Sequence, residues 1–165
     1  MSLKFELFAE LEGFAIYDPS LMNQYITENN IIGNDLLTCL TSSEHGDIVT
    51  RNGIIIPIIG VSADYYNFKI IHQLPKNYLV ESNGWILKVE SERINIIGIG
   101  YLADITKITS DNSLFFSLSN GWYELSIISY YLDSTDDNQK CLGLKLKQTS
   151  SKPNYCGNMD IDYLI

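Results

Sequence analysis

The sequence is short of cysteine, histidine and basic side chains, and each shortage removes a class of protein. Cys39, Cys141 and Cys156 are an odd set among 165 residues, with no C-x-x-C spacing. A disulfide framework wants an even, denser set, so buried thiols in a reducing compartment are expected. His45 and His72 stand alone rather than in close pairs with cysteines, so zinc-ligand spacing is missing and no metal is expected. Nothing in the sequence places either histidine beside a cysteine as a nucleophilic pair. Lys and Arg number 11 against 20 Asp and Glu, a formal net charge of −9. Such a surface repels nucleic acid and anionic membranes unless a basic stripe exists, and none does; Lys145 and Lys147 alternate on one strand and are too few.

Long apolar runs are missing too. The longest, Ile54 to Val61, contains Pro57 and Gly60 and falls well short of the ~20 residues of a membrane helix. No basic start with a small-residue cleavage site follows Met1. A soluble cytoplasmic protein is therefore expected. At 45% hydrophobic and 12% aromatic residues the chain has the means to fold, and its length suits a single domain over residues 1–165. Catalytic signatures are missing as well: no G-x-S-x-G, no H-E-x-x-H, no H-x-E with P-C-x-x-C. Gly98-Ile99-Gly100 lacks the third glycine, the Lys-Ser or Lys-Thr pair and the following helix of a phosphate loop. The expectation is a protein that is not an enzyme and carries no cofactor.

What the sequence does contain is strand pattern. Leu3, Phe5, Leu7 and Ala9 alternate with Lys4, Glu6 and Glu10, Phe8 alone breaking the pattern. Phe14 to Tyr17 reads as a second strand. Asp18-Pro19 then reads as a helix start, because aspartate caps free N–H groups and proline fits the first helical position. Leu21, Met22, Tyr25 and Ile26 extend it to about Glu28, and a second short helix is predicted over Asp35 to Leu40. From Gly46 onward the pattern predicts β structure: Ile54 to Val61 (an edge or bulge strand because of Pro57), Tyr65 to His72, Trp85 to Glu90, Ile94 to Tyr101, Leu114 to Leu118, Trp122 to Leu132 and Cys141 to Lys147. Three Asn-Gly pairs, at 52–53, 83–84 and 120–121, predict hairpin turns, since type I′ turns need two residues at positive φ. Met159 to Ile165 alternates with Asp160 and Asp162 like a last edge strand. The fold class expected is all-β, mainly an antiparallel sandwich or barrel, with one or two short helices near the N-terminus.

Ser-Asn-Gly-Trp occurs at 82–85 and again at 119–122, which reads as two similar hairpins rather than a repeat architecture. The strands that follow differ in phase. Trp85, Leu87 and Val89 share an apolar face. Tyr123, Leu125 and Ile127 do the same, which leaves Trp122 on the polar face with Glu124 and Ser126. A tryptophan there is either covered by another element or offered to a partner. Asp133-Ser134-Thr135-Asp136-Asp137-Asn138 is the densest acidic stretch. Its spacing fails the EF-hand pattern, leaving a solvated hairpin tip or a patch facing a basic partner.

Asn83-Gly84-Trp85-Ile86-Leu87-Lys88-Val89, then Ile97-Gly98-Ile99-Gly100, then Leu114 to Leu125 form an ordered series, with Gly46-Asp47-Ile48-Val49 and Asp64-Tyr65-Tyr66 ahead of it. Over residues 46–147 this resembles a group of uncharacterised bacterial β-rich proteins. More remotely it is similar to the competence protein J family, small β-rich inhibitors of a secreted or cell-surface nuclease. The resemblance implies a fold and, by analogy, inhibitor activity; its motifs are turn glycines and strand aromatics, which carry no inhibitory residues across. Together with the charge, this predicts an acidic binding protein, of inhibitor or immunity type, that occludes a basic protein partner such as a nuclease toxin. Trp122, Glu124, Asp133, Asp136 and Asp137 are the expected contact residues. A hydrolase or lyase built on dispersed carboxylates and tyrosines, or a small-ligand or sugar-binding β module, are the alternatives.

Overall fold

The computed structural model describes residues 5–42, 44–132 and 139–165. The strands are β1 Glu6–Phe8, β2 Gly13–Tyr17, β3 Ile55–Ile59, β4 Tyr65–Ile70, β5 Val80–Val89, β6 Arg93–Gly98, β7 Ser113–Ser117, β8 Gly121–Tyr131 and β9 Lys140–Thr149. The helices are α1 Pro19–Glu28, α2 Leu36–Ser42 and α3 His45–Arg51. Five strands form one sheet in the order β1-β4-β9-β8-β5, and four form a second in the order β3-β2-β6-β7. Every neighbouring pair is antiparallel except β4 with β9.

Alternation explains the stacking. Trp85, Leu87, Leu125, Ile127, Leu142 and Leu144 of the larger sheet face Phe14, Ile16, Ile56, Ile58, Ile94 and Ile96 of the smaller, in one shared core. The opposite face of the smaller sheet is apolar too. Ala15, Tyr17, Ile55 and Ile97 lie under Met22, Tyr25, Leu36 and Val49 of the three helices. Its strands β2, β3 and β6 are therefore covered on both sides, which is why Phe14-Ala15-Ile16-Tyr17 and the isoleucine run of β3 read as continuous apolar stretches. The architecture is a β-sandwich with a helical layer on one side. The mostly-β class holds, as do the start of α1 and the edge position of Pro57 in β3.

Several local expectations do not hold. The β pattern starts later than Gly46, because residues 45–51 form α3, and the Gly46-Asp47-Ile48-Val49 motif lies on that helix. A Cβ on Gly46 would stand 2.5 Å from the Leu40 carbonyl oxygen, so glycine lets α3 pack close against α2. None of the Asn-Gly pairs is a two-residue hairpin. Asn52-Gly53 ends α3: Gly53 N–H donates to Thr50 O and Ile54 N–H to Val49 O, a Schellman closure with Gly53 at φ 67°. Asn83-Gly84 is a bulge inside β5, where the register with β8 slips between Ser82 and Trp85. Asn120-Gly121 is a corner between sheets, since β7 and β8 belong to different ones.

The expected last strand is also absent: residues 150–165 run irregularly across the sandwich. Their backbone is held piecemeal, by Cys156 N–H to Gly84 O at 2.9 Å and Tyr163 N–H to Gly60 O at 3.2 Å. The Ser129 hydroxyl donates to Tyr163 O at 2.6 Å. The Tyr163 ring is fully buried in the shared core.

Candidate interaction surfaces

Strand direction gives the sandwich two ends. Val89, Gly121 and Thr149 lie together at one, with α1 and the close of α3. Trp122 sits there, half-buried, opposite Lys88 and Thr149. Lys88 Nζ stands 5.5 Å and Lys152 Nζ 5.8 Å from the centre of the Trp122 ring. Both lysines are already engaged, Lys88 with Glu90 at 2.7 Å and Lys152 with Asn52 Oδ1 at 2.9 Å. Trp122 forms one wall of a groove of about 340 Å³, closed on the other side by Leu21, Gln24 and Tyr25 of α1. Tyr25 in turn hydrogen-bonds His45 Nδ1 through its hydroxyl. Glu124 is exposed on the same outer face, next to Lys147 in register.

Asp18 fixes this end. Its fully buried carboxylate caps α1, accepting from Ser20 N–H at 2.8 Å and Leu21 N–H at 3.4 Å. It also accepts from Glu90 N–H at 2.6 Å, Ser91 N–H at 2.8 Å and the Ser91 hydroxyl at 2.7 Å. Burial pushes its pKa up, but the bonds from Ser91, Glu90 and Ser20 outweigh it and hold the carboxyl below the ordinary aspartate value.

Asp133, Asp136 and Asp137 lie outside the described residues. The strand that leads to them is described, and it is long: Trp122 and Tyr131 stand at opposite ends of β8, about 30 Å apart at ~3.3 Å per residue. Trp122 and the last described residues before the acidic segment therefore lie at opposite ends of the sandwich. Tyr131 pairs with Lys140, whose ammonium meets Asp64 at 3.1 Å.

That second end is where carboxylates gather. Ala9 N–H donates to Asp64 O, and the chain then makes a 3-10 turn over Glu10–Glu12. Leu11 and Glu12 both take positive φ, 54° and 56°, a strained pairing for side chains with a Cβ. The turn presents Leu11 to solvent at 68% exposure. It packs against Gly98 and Gly100, where a Cβ would stand 2.7 Å and 3.2 Å from the Glu10 Cβ. The Gly-Ile-Gly triplet thus makes room for this turn.

Two open grooves flank the turn. The larger, about 440 Å³, is lined by Glu6, Phe8, Glu10, Tyr65, Tyr101 and Asp111. The smaller, about 310 Å³, shares Glu10 and Tyr101 with it and adds Leu11, Asp104 and Lys107. Phe8 meets Tyr65 edge-on at 5.1 Å between ring centres, and Tyr65 is 57% exposed. Among the described residues, Glu6, Glu10, Glu12 and Asp111 have no ion-pair partner. Asp104 caps the turn that follows it, accepting from Thr106 N–H and hydroxyl, and these bonds hold its pKa below the ordinary value.

Sequence reasoning missed this end because its acids are scattered from position 6 to position 111. The one signal was Phe8, whose break in an otherwise clean alternation placed an aromatic on the polar side. Among the described residues, no three His, Cys, Asp or Glu side chains converge closely enough to hold a metal ion. No described helix is long and apolar enough to cross a membrane.

No protein-family model matches the chain, and no curated protein matches it. A solved structure of ComJ from Bacillus subtilis, described as inhibitor of the DNA degrading activity of NucA, is remotely similar. It shares 14% identity over 90% of this chain and 98% of its own, with a TM-score of 0.49. No residue role is transferred from it.

Proposed function

We propose that this chain is a non-enzymatic binding protein of inhibitor or immunity type, acting in the cytoplasm as one sandwich-like domain over residues 1–165, and that its acidic end occludes a basic surface on a protein partner. The nuclease-inhibitor form that the sequence resemblance implied is one case of this. The observation that carries the proposal is the uneven placement of charge. Glu6, Glu10, Glu12, Asp64, Asp104 and Asp111 share one end with Lys107 and Lys140, around an exposed Leu11. At the other end Lys88, Lys147, Lys152, Arg51 and Arg93 largely offset Asp18, Glu28, Asp47, Glu90, Glu92 and Glu124. A one-sided field steers an oppositely charged partner and fixes which face it meets. An exposed apolar side chain ringed by charge is the usual form of an anchor with a polar rim.

Asp133, Asp136 and Asp137, outside the described residues, remain proposed contacts; β8, which precedes them in sequence, ends beside Lys140 and Asp64. Trp122 and Glu124 contribute only if a partner also reaches the opposite end. The test is inhibition of a basic nuclease encoded beside this chain's gene. Support would be stoichiometric loss of nuclease activity that Glu10→Lys with Glu12→Lys relieves at least tenfold. Turnover of any substrate by the purified chain, or inhibition indifferent to those reversals, would overturn it.

A further inference from the structure

The proposed function leaves open which chemical group of a basic partner enters the acidic end. Resting on that proposal, we infer that the larger groove receives a guanidinium, the head of an arginine side chain on the partner. Three aromatic rings, Phe8, Tyr65 and Tyr101, and three carboxylates, Glu6, Glu10 and Asp111, line about 440 Å³. Aromatic faces and carboxylates both attract cations, and they repel phosphate and carboxylate ligands. The carboxylates do not converge on a point, since among the described residues no three acidic or imidazole groups come close enough to chelate an ion. A compact metal ion is therefore poorly served. A flat, delocalised cation with five donors spans separated acceptors and lies against a ring at the same time, which an ammonium cannot do.

The site is also built to stay open. Tyr65 is 57% exposed, held at its edge by Phe8, and no described cation of the chain pairs with Glu6, Glu10 or Asp111. The adjoining groove carries Lys107 beside Asp104, so cation preference falls to the larger one. Leu11, at the border, gives an incoming arginine an apolar contact for its methylene stem.

Titrating the isotope-labelled protein with acetyl-Gly-Arg-Gly-amide tests the groove without any protein partner. Saturable amide shifts centred on Phe8, Glu10, Tyr65 and Tyr101 are expected. The lysine peptide should bind at least about fivefold more weakly, having lost the paired donors, and the neutral citrulline peptide should not bind. Glu10→Gln, isosteric at a half-buried position, should weaken the arginine peptide while leaving the melting temperature unchanged; Tyr65→Ser, which also gives up the edge contact with Phe8, should weaken it with a melting loss of no more than about 4 °C. Equal affinity for the lysine or citrulline peptide, shifts centred elsewhere, or no saturation at about 50 mM probe would overturn the inference. Nuclease inhibition that survives Glu10→Gln and Tyr65→Ser but not Glu12→Lys would overturn it too, while leaving the proposed function standing.

Discussion

Replacing Asp18 with alanine should cost about 3 kcal/mol of folding stability. The carboxylate caps α1 through Ser20 and Leu21, a role worth ~1 kcal/mol. It also satisfies the N–H groups of Glu90 and Ser91, at 2.6 Å and 2.8 Å, and the Ser91 hydroxyl. Bonds to a charged acceptor contribute ~1.5–3 kcal/mol each in a dry setting, and the turn at Glu90 and Ser91 is partly exposed. Water recovers part of each lost bond, so about 1 kcal/mol apiece is appropriate for the two backbone contacts. Urea unfolding followed by the fluorescence of the buried Trp85 measures the total. Asp18→Asn keeps an acceptor but loses the charge, and should cost about half as much. The pH dependence follows from the lowered pKa. The Asp18 contribution is complete above the unfolded aspartate value near 3.9 and is lost as pH falls through the lower folded value. The acid limb of the stability profile should therefore flatten in Asp18→Asn. A loss below about 1 kcal/mol in Asp18→Ala would refute the reasoning, because the cap alone accounts for that much.

Leu11→Gly should leave stability unchanged or raise it by up to ~1 kcal/mol, since it relieves positive φ at an exposed site, while weakening partner binding; calorimetry and an inhibition assay on the same variant read both effects. Gly84→Ala should cost about 2–4 kcal/mol by thermal melting, because φ is 89° and the new Cβ would meet the Cys156 carbonyl at 2.6 Å. Tyr163→Phe should be neutral or stabilising by up to ~1 kcal/mol in urea unfolding, since the buried Tyr163 hydroxyl has no hydrogen-bond partner. Burial pushes Tyr163 and Tyr130 up to about 12, for Tyr130 with the help of Cys141, while the Ser82 hydroxyl pulls Tyr163 partly back without closing a bond. Stability from these two should be complete below the ordinary tyrosine value of 10.0 and lost between there and about 12, with phenolate absorbance marking the two late ionisations.

The legible parts of this fold were those written locally. Asp18-Pro19 specifies the start of α1 within four residues, and the phases of β5 and β8 put Trp85 inside and Trp122 outside by counting alone. The Asn-Gly pairs encode half of the predicted backbone and not the element: the glycines take positive φ, while Asn52, Asn83 and Asn120 do not. Gly53, Gly84 and Gly121 take φ of 67°, 89° and 146°, and that freedom serves a helix end, a bulge and a sheet corner as well as a hairpin. The tail was misread because alternation records that Tyr163 is buried, not what hydrogen-bonds its backbone. Most of the acidic end was illegible because the sandwich assembles it from β1, the turn after it, the start of β4 and the segment following β6. Charge gathered from such distances in the chain leaves no run for a sequence to show.

The most direct test of the central claim is the association rate with a basic partner as a function of ionic strength, for the native chain and two reversed forms. The account predicts that Glu10→Lys with Asp111→Lys slows association at least tenfold and flattens its salt dependence. Glu124→Lys with Trp122→Ala, at the other end, should leave both within about twofold. The opposite ranking, or equal slowing by both pairs, would contradict it.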